Sequence, residues 1–178
     1  MDILHGDNLL NDLKNRPPDK AVEPIEWIIG KWHSVIGEVM TPEEELEHCC
    51  LLTFTSHGQP ALNFSAAYWD PETKNIDKFE NGFLRVEPGT NKMSFIVSHS
   101  NGLSSLEEGE LINPHSFKVK GKKLIAPSGI KRQDNLNITS IERQFLLESG
   151  NLNYSMNIET DIPFHTYEFT YLLKKISH

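Results

Sequence analysis

Turn-forming residues recur at short intervals from Gly30 onward, and this spacing limits the possible folds more than any other feature of the sequence. The reversals are His57-Gly58-Gln59-Pro60, Asp70-Pro71-Glu72-Thr73, Glu87-Pro88-Gly89-Thr90-Asn91, Ser100-Asn101-Gly102, Lys120-Gly121-Lys122 and Glu148-Ser149-Gly150-Asn151. Each places Gly, Pro, Asn or Asp where it can reverse the chain. The runs between them are of strand length and rich in β-formers, for example residues 51–55, 92–97 and 169–173. Sustained helical periodicity is missing beyond a short stretch at 24–29. Strands of this length joined by tight turns imply an antiparallel sandwich or a closed barrel.

Several runs alternate with period two. In 115–120 the order is His, Ser, Phe, Lys, Val, Lys; in 136–141, Leu136, Ile138 and Ser140 share one face and Asn137, Thr139 and Ile141 the other. One dry face and one wet face is the pattern of a barrel wall. The first 22 residues read differently. Leu9, Leu10 and Leu13 sit at helical spacing behind Asp7 and Asn8, and Pro17-Pro18 then stops the pattern. The expectation is an extension over 1–22, loosely held or lying as a lid over one end, followed by a single domain over 23–178.

Composition narrows the function classes. A chain of 178 residues forms one domain with a real core. A mean hydropathy of -0.42, no long apolar run and no secretory leader predict a cytoplasmic protein, nuclear residence remaining open, with no membrane partner. The formal charge of -8 argues against a nucleic-acid partner, which needs clustered Lys and Arg. Oligomeric state is not encoded in any pattern here. The two cysteines, Cys49 and Cys50, are adjacent, so in a strand they face apart and are expected as free thiols. His48 beside Cys49 suggests a Cys/His pair, but neighbours in a strand diverge and no orienting group is evident. The acidic run Glu43-Glu44-Glu45 with Glu47 reads as a solvated segment.

An ordered set of short motifs goes further. Pro24-Ile25-Glu26-Trp27 leads into Gly30-Lys31-Trp32; Gly58-Gln59-Pro60-Ala61-Leu62-Asn63-Phe64-Ser65, Asn81-Gly82-Phe83-Leu84-Arg85 and Glu107-Glu108-Gly109-Glu110 follow. In order and spacing these resemble the nitrobindin family, haem-binding β-barrels also found as the C-terminal domain of a THAP-type zinc-finger protein, over roughly residues 24–175. The resemblance implies a ten-stranded antiparallel up-and-down β-barrel of lipocalin or fatty-acid-binding type with a short N-terminal helix. It also implies b-type haem as cofactor, reaction with nitric oxide species and isomerisation of peroxynitrite to nitrate. The alternative is a non-catalytic carrier of a fatty acid or another small hydrophobic molecule.

The site residues follow from the same resemblance. In nitrobindins the axial histidine lies on the last strand. Matching forward from Ser155-Met156 puts Thr166 at that position, matching backward from Lys174-Lys175 puts Glu168 there, and His165 is the only histidine in reach. His165 is the candidate axial ligand, and alternation demands a one-residue bulge near Pro163 to turn it to the face of Thr166 and Glu168. Met156 matches a pocket methionine, Thr41 lies near a threonine that touches the haem, and Trp32 belongs to the opening signature as pocket wall or barrel-closing core. Where relatives carry a Met-His pair before the Gly-Phe matched by Gly82-Phe83, this chain has Asp77 and Lys78. Lys78 reads as a solvated strand-end lysine or a partner for a haem propionate or a fatty-acid carboxylate. His33, alternating away from Trp32, is a second and weaker metal-ligand candidate.

Overall fold

Eleven strands follow the short helix Lys20–Ile28 among the residues that a computed structural model describes, 11–12, 16–126, 137–161 and 163–176. They are β1 (Gly30–Met40), β2 (Glu45–Glu47), β3 (Cys49–Thr55), β4 (Leu62–Trp69), β5 (Ile76–Val86), β6 (Lys92–His99), β7 (Ser104–Asn113), β8 (Ser116–Ile125), β9 (Ile138–Glu148), β10 (Asn151–Asp161) and β11 (Phe164–Lys175). Consecutive strands pair antiparallel from β3 to β11, β1 pairs with β3, and β11 returns to β1, so ten strands close into a barrel. The three-residue β2 pairs beside β3 on the far part of β1 and is exposed throughout. The expected up-and-down barrel is the observed one. The expected helix around Leu9, Leu10 and Leu13 falls largely outside the described residues.

The local chemistry explains the joints. Ser149 and Gly150 both adopt positive φ, the conformation of a two-residue hairpin turn that follows the twist of its strands, and they join β9 to β10. Gly37 is required for closure: a Cβ there would run into the His48 carbonyl and the Tyr171 ring. A bulge between Ser34 and Ile36 resets β1 so that Trp32, Ser34 and Val39 all face inward. Gly121 is not a turn. β8 runs through it, and the sharp reversal lies earlier, between Asn113 and Ser116.

A 3-10 helix, Lys20–Ile28, stoppers one end of the barrel. Asp19 caps it by accepting the Ala21 N–H at 2.8 Å. Val22, Ile25 and Ile28 are fully buried, and the Trp32 indole donates to the Ile28 carbonyl at 2.8 Å, fixing the helix to the wall. Above it lies an aromatic stack: Phe117 on Phe145 at 4.8 Å, Phe145 on Tyr154 at 4.6 Å, and Tyr154 on Tyr171 at 5.6 Å between ring centroids. Burying such rings is the largest apolar contribution this interior makes.

Candidate functional site

At the opposite end the barrel holds a cavity of about 450 Å³. That lies within the usual range for small-molecule sites. Leu103, Ile138, Ile141, Ile158 and Phe169 give it an apolar wall, and His48, Tyr68, Asp77, Lys78, His99 and Tyr167 bring polar atoms to it. Ile138 and Ile141 both reach it because the pairing of β9 with β10 shifts between Glu159 and Thr160. The strict alternation read from the sequence across 136–141 is broken there, and Ser140 and Ile141 are both buried.

The floor between cavity and aromatic stack is a buried ionic network centred on Arg143. Its Nη1 donates to Glu80 Oε2 at 2.7 Å and to the Tyr154 hydroxyl at 2.8 Å, Nη2 donates to Glu80 Oε1 at 3.1 Å, and Nε donates to Glu107 Oε2 at 2.9 Å. Glu80 also accepts from Lys78 Nζ at 2.9 Å, His99 Nδ1 at 3.0 Å and the Tyr68 hydroxyl at 3.0 Å. Burial by itself would raise the Glu80 pKa, but Arg143, Lys78 and His99 hold it well below the usual carboxylate range. Glu107 has fewer donors, and burial pushes its pKa up with only partial relief from Arg143.

One proton decides the charge of this floor. Ser105 Oγ lies 2.8 Å from Glu107 Oε1 and 3.1 Å from His99 Nε2, while His99 Nδ1 already donates to Glu80. A hydroxyl carries a single proton, so the row is satisfied only when one further proton sits at an end, on His99 or on Glu107. Burial lowers the His99 pKa against the pull of Glu80 and raises that of Glu107, so both directions favour the proton on Glu107. Arg143 and Lys78 then face one carboxylate, Glu80, and the floor carries one positive charge in excess.

His48 is oriented after all: Nε2 meets Asp77 Oδ2 at 2.9 Å and Nδ1 meets the Tyr171 hydroxyl at 2.7 Å. Cys49 and Cys50 are free thiols, as expected, and burial pushes the Cys50 thiol up, away from reactivity.

The residues singled out from sequence are distributed around the barrel. β10 and β11 pair without interruption from Asp161 opposite Phe164 to Asn151 opposite Lys174. His165 lies opposite the buried Thr160, so it is on the inward row with Tyr167, Phe169 and Tyr171. No bulge near Pro163 is needed, and it is Thr166 and Glu168 that point outward, opposite Glu159 and Asn157. Met156 is fully buried in the floor, its sulfur 3.5 Å from the Tyr154 hydroxyl and 3.8 Å from Lys78 Nζ. Trp32 packs in the core and is fixed to the helix. Thr41 closes a turn, its hydroxyl donating to the Glu44 carbonyl at 2.9 Å. Lys78 is no solvated lysine: its side chain is 17% exposed, paired with Glu80 and seated over the Tyr68 ring at 4.7 Å. His33 is exposed, its ring 5.8 Å from that of Trp69.

This arrangement of barrel and cavity has relatives. Residues 21–173 match the family model of the THAP4-like, heme-binding beta-barrel domain. The chain belongs to that family. It is 33% identical over 155 residues to the peroxynitrite isomerase THAP4 of Bos taurus, covering 82% of this chain and 25% of that protein. The Homo sapiens protein of the same name is 30% identical over 183 residues, covering 98% of this chain and 30% of its own length. The chain thus spans a quarter to 30% of these curated relatives. Rv2717c from M. tuberculosis shares the fold with a TM-score of 0.75 at 15% identity, over 90% of this chain and all of that one. The nitrobindin resemblance and haem as the family cofactor stand on this membership. The site suits that group: a broad apolar wall faces an inward row of β11 that carries an imidazole and a phenol, and both are ligand types for ferric haem.

Proposed function

We propose that the cavity holds a b-type haem and that the loaded barrel isomerises peroxynitrite to nitrate. The observation that carries this reading is the pairing of an apolar cavity with side chains of iron-binding type on the inward row of the last strand, Tyr167 in the wall and His165 one inward step beyond it. Met156 contributes to the floor beneath, and Trp32 acts from a distance by holding the barrel closed. Ferric iron supplies the Lewis-acid chemistry toward a peroxynitrite oxygen. The protein's own residues do the rest. Leu103, Ile141, Ile158 and Phe169 exclude water and confine reactive fragments. The excess positive charge of the Arg143 and Lys78 floor attracts an anionic guest.

The same positive floor would also serve the carboxylate of a fatty acid, which keeps the carrier reading in play as an outcome of the test. Purified protein is titrated with ferric haem beside an Ile158→Arg variant that obstructs the cavity. A stoichiometric Soret band in the parent and its loss in the variant, together with faster conversion of peroxynitrite to nitrate by the loaded protein, is the expected result. Haem bound no better than by an unrelated protein, with a fluorescent fatty acid bound and displaced instead, would overturn it.

A further inference from the structure

We infer that the phenol oxygen of Tyr167, and not an imidazole, is the protein's ligand to the haem iron. The inference rests on the haem reading above and sharpens it. Six side chains lining the cavity carry an atom able to bind iron: His48, Asp77, Lys78, His99, Tyr68 and Tyr167. Five of them are already engaged. His48 uses one ring nitrogen on Tyr171 and the other on Asp77, which engages that carboxylate as well. His99 uses one nitrogen on Glu80 and the other on Ser105. The Tyr68 hydroxyl is held between Glu80 and Tyr154, and the Lys78 ammonium is paired with Glu80. Detaching any of these would cost a buried polar group one of its hydrogen bonds. The Tyr167 hydroxyl makes no hydrogen bond among the described residues, and its side chain forms part of the cavity wall.

Position separates Tyr167 from His165. Both are on the inward row of β11, but Tyr167 lies opposite Ile158, itself a cavity residue, whereas His165 lies one inward step nearer the rim, opposite Thr160. The ring of His165 meets that of Tyr167 edge-on, with 6.5 Å between centroids, so it packs beside the phenol and limits its swing toward solvent. Tyr167 is the ligand and His165 a positioning residue. Tyrosine is an established axial ligand of haem iron. On ligation the phenol O–H bond breaks, an oxygen–iron(III) bond forms and one proton leaves to solvent. No change of oxidation state is involved. The anionic oxygen stabilises the ferric state relative to a neutral imidazole.

The test compares the full chain with Tyr167→Phe, His165→Ala and Tyr167→His variants, each checked for its β-sheet circular dichroism and titrated with ferric haem. Expected for the parent are a phenolate-to-iron charge-transfer band, phenolate modes in the resonance Raman spectrum excited in that band, and release of one proton per haem. Tyr167→Phe should lose these signatures, with affinity reduced on the order of 10- to 100-fold or more. His165→Ala should keep them. Tyr167→His should recover affinity with an imidazole spectrum and a higher reduction midpoint. A Tyr167→Phe spectrum identical to the parent's, or loss of ligation in His165→Ala alone, overturns the phenol ligand and leaves the haem reading standing. Absence of a haem spectrum in the folded parent overturns both.

Discussion

The two halves of the barrel interior use the same alternating strands to opposite ends. On the helix side the interior is dominated by apolar side chains, and the rings of Phe54, Phe64, Phe95, Phe117 and Phe145 pack together there. On the cavity side the same rows deliver Glu80, His99, Glu107 and Arg143, and the packing stops short of filling the barrel. The stoppered half makes stability, while the open half holds charged groups in defined states and leaves room for a guest. The Arg143 network is the seal between them. Every described buried side-chain nitrogen and oxygen has a hydrogen-bond partner, so the barrel tolerates this ionic layer in its middle.

The comparison is tested most severely at Glu80. Glu80→Gln leaves Arg143 and Lys78 without their counter-ion in a dry site, and a loss of about 3–5 kcal/mol in urea unfolding is expected. Wild-type stability in that variant would show that the layer is not ionised as described. Phe145→Ala should cost a similar ~3–5 kcal/mol, because it opens a void in a filled half. Ile158→Ala removes wall from an existing cavity and should cost no more than about 2 kcal/mol, the low end for such truncations. Equal losses at the two positions would erase the distinction between the halves. Glu107→Gln keeps a proton donor beside Ser105 and should change stability by less than about 1 kcal/mol. A large loss there would place the extra proton on His99 instead.

The pH dependence gives the smallest effect and the finest discrimination. His99 has a lowered pKa in the folded protein, so stability falls as pH drops below its ordinary value of about 6.5, where the unfolded chain takes up the proton first. Glu80, also lowered, adds to that loss as pH falls below about 4.5 and on through its folded pKa. Glu107 is raised, so the folded form binds the extra proton and opposes the loss on the way down. Urea midpoints followed from neutral to acid pH should therefore decline more steeply in Glu107→Gln than in the parent. A shallower decline would reverse the assignment of the proton.

The fold was readable because its turns are written in Gly, Pro, Asn and Asp, and a barrel wall needs little else to be recognised. Gly121 misled because it lies inside β8 where Glu107 packs against it, and glycine serves close approach as well as reversal. The face of His165 was misjudged because strand parity on β11 has meaning only relative to β10, and the uninterrupted pairing to Asn151–Asp161 became visible only in the structure. The network was partly legible. Glu80 has the parity of Leu84 and Val86, and Arg143 that of Ile141 and Phe145, so charged residues sat in inward rows on paper. What no local pattern could show is that β5, β7 and β9 bring those rows together across the barrel, which depends on closure.

That closure sets the order in which the molecule can assemble. The seam pairs Trp32 with Lys175 and Met40 with Glu168, so the first long strand waits for the last. Until β11 docks, the sheet is open and presents two unpaired edges. The rung that removes them closes the longest loop in the chain, whose entropic cost must be met before the contact rewards it. The rate of folding is therefore set at the seam, and a newly made chain remains prone to pairing with its neighbours until its last strand is available.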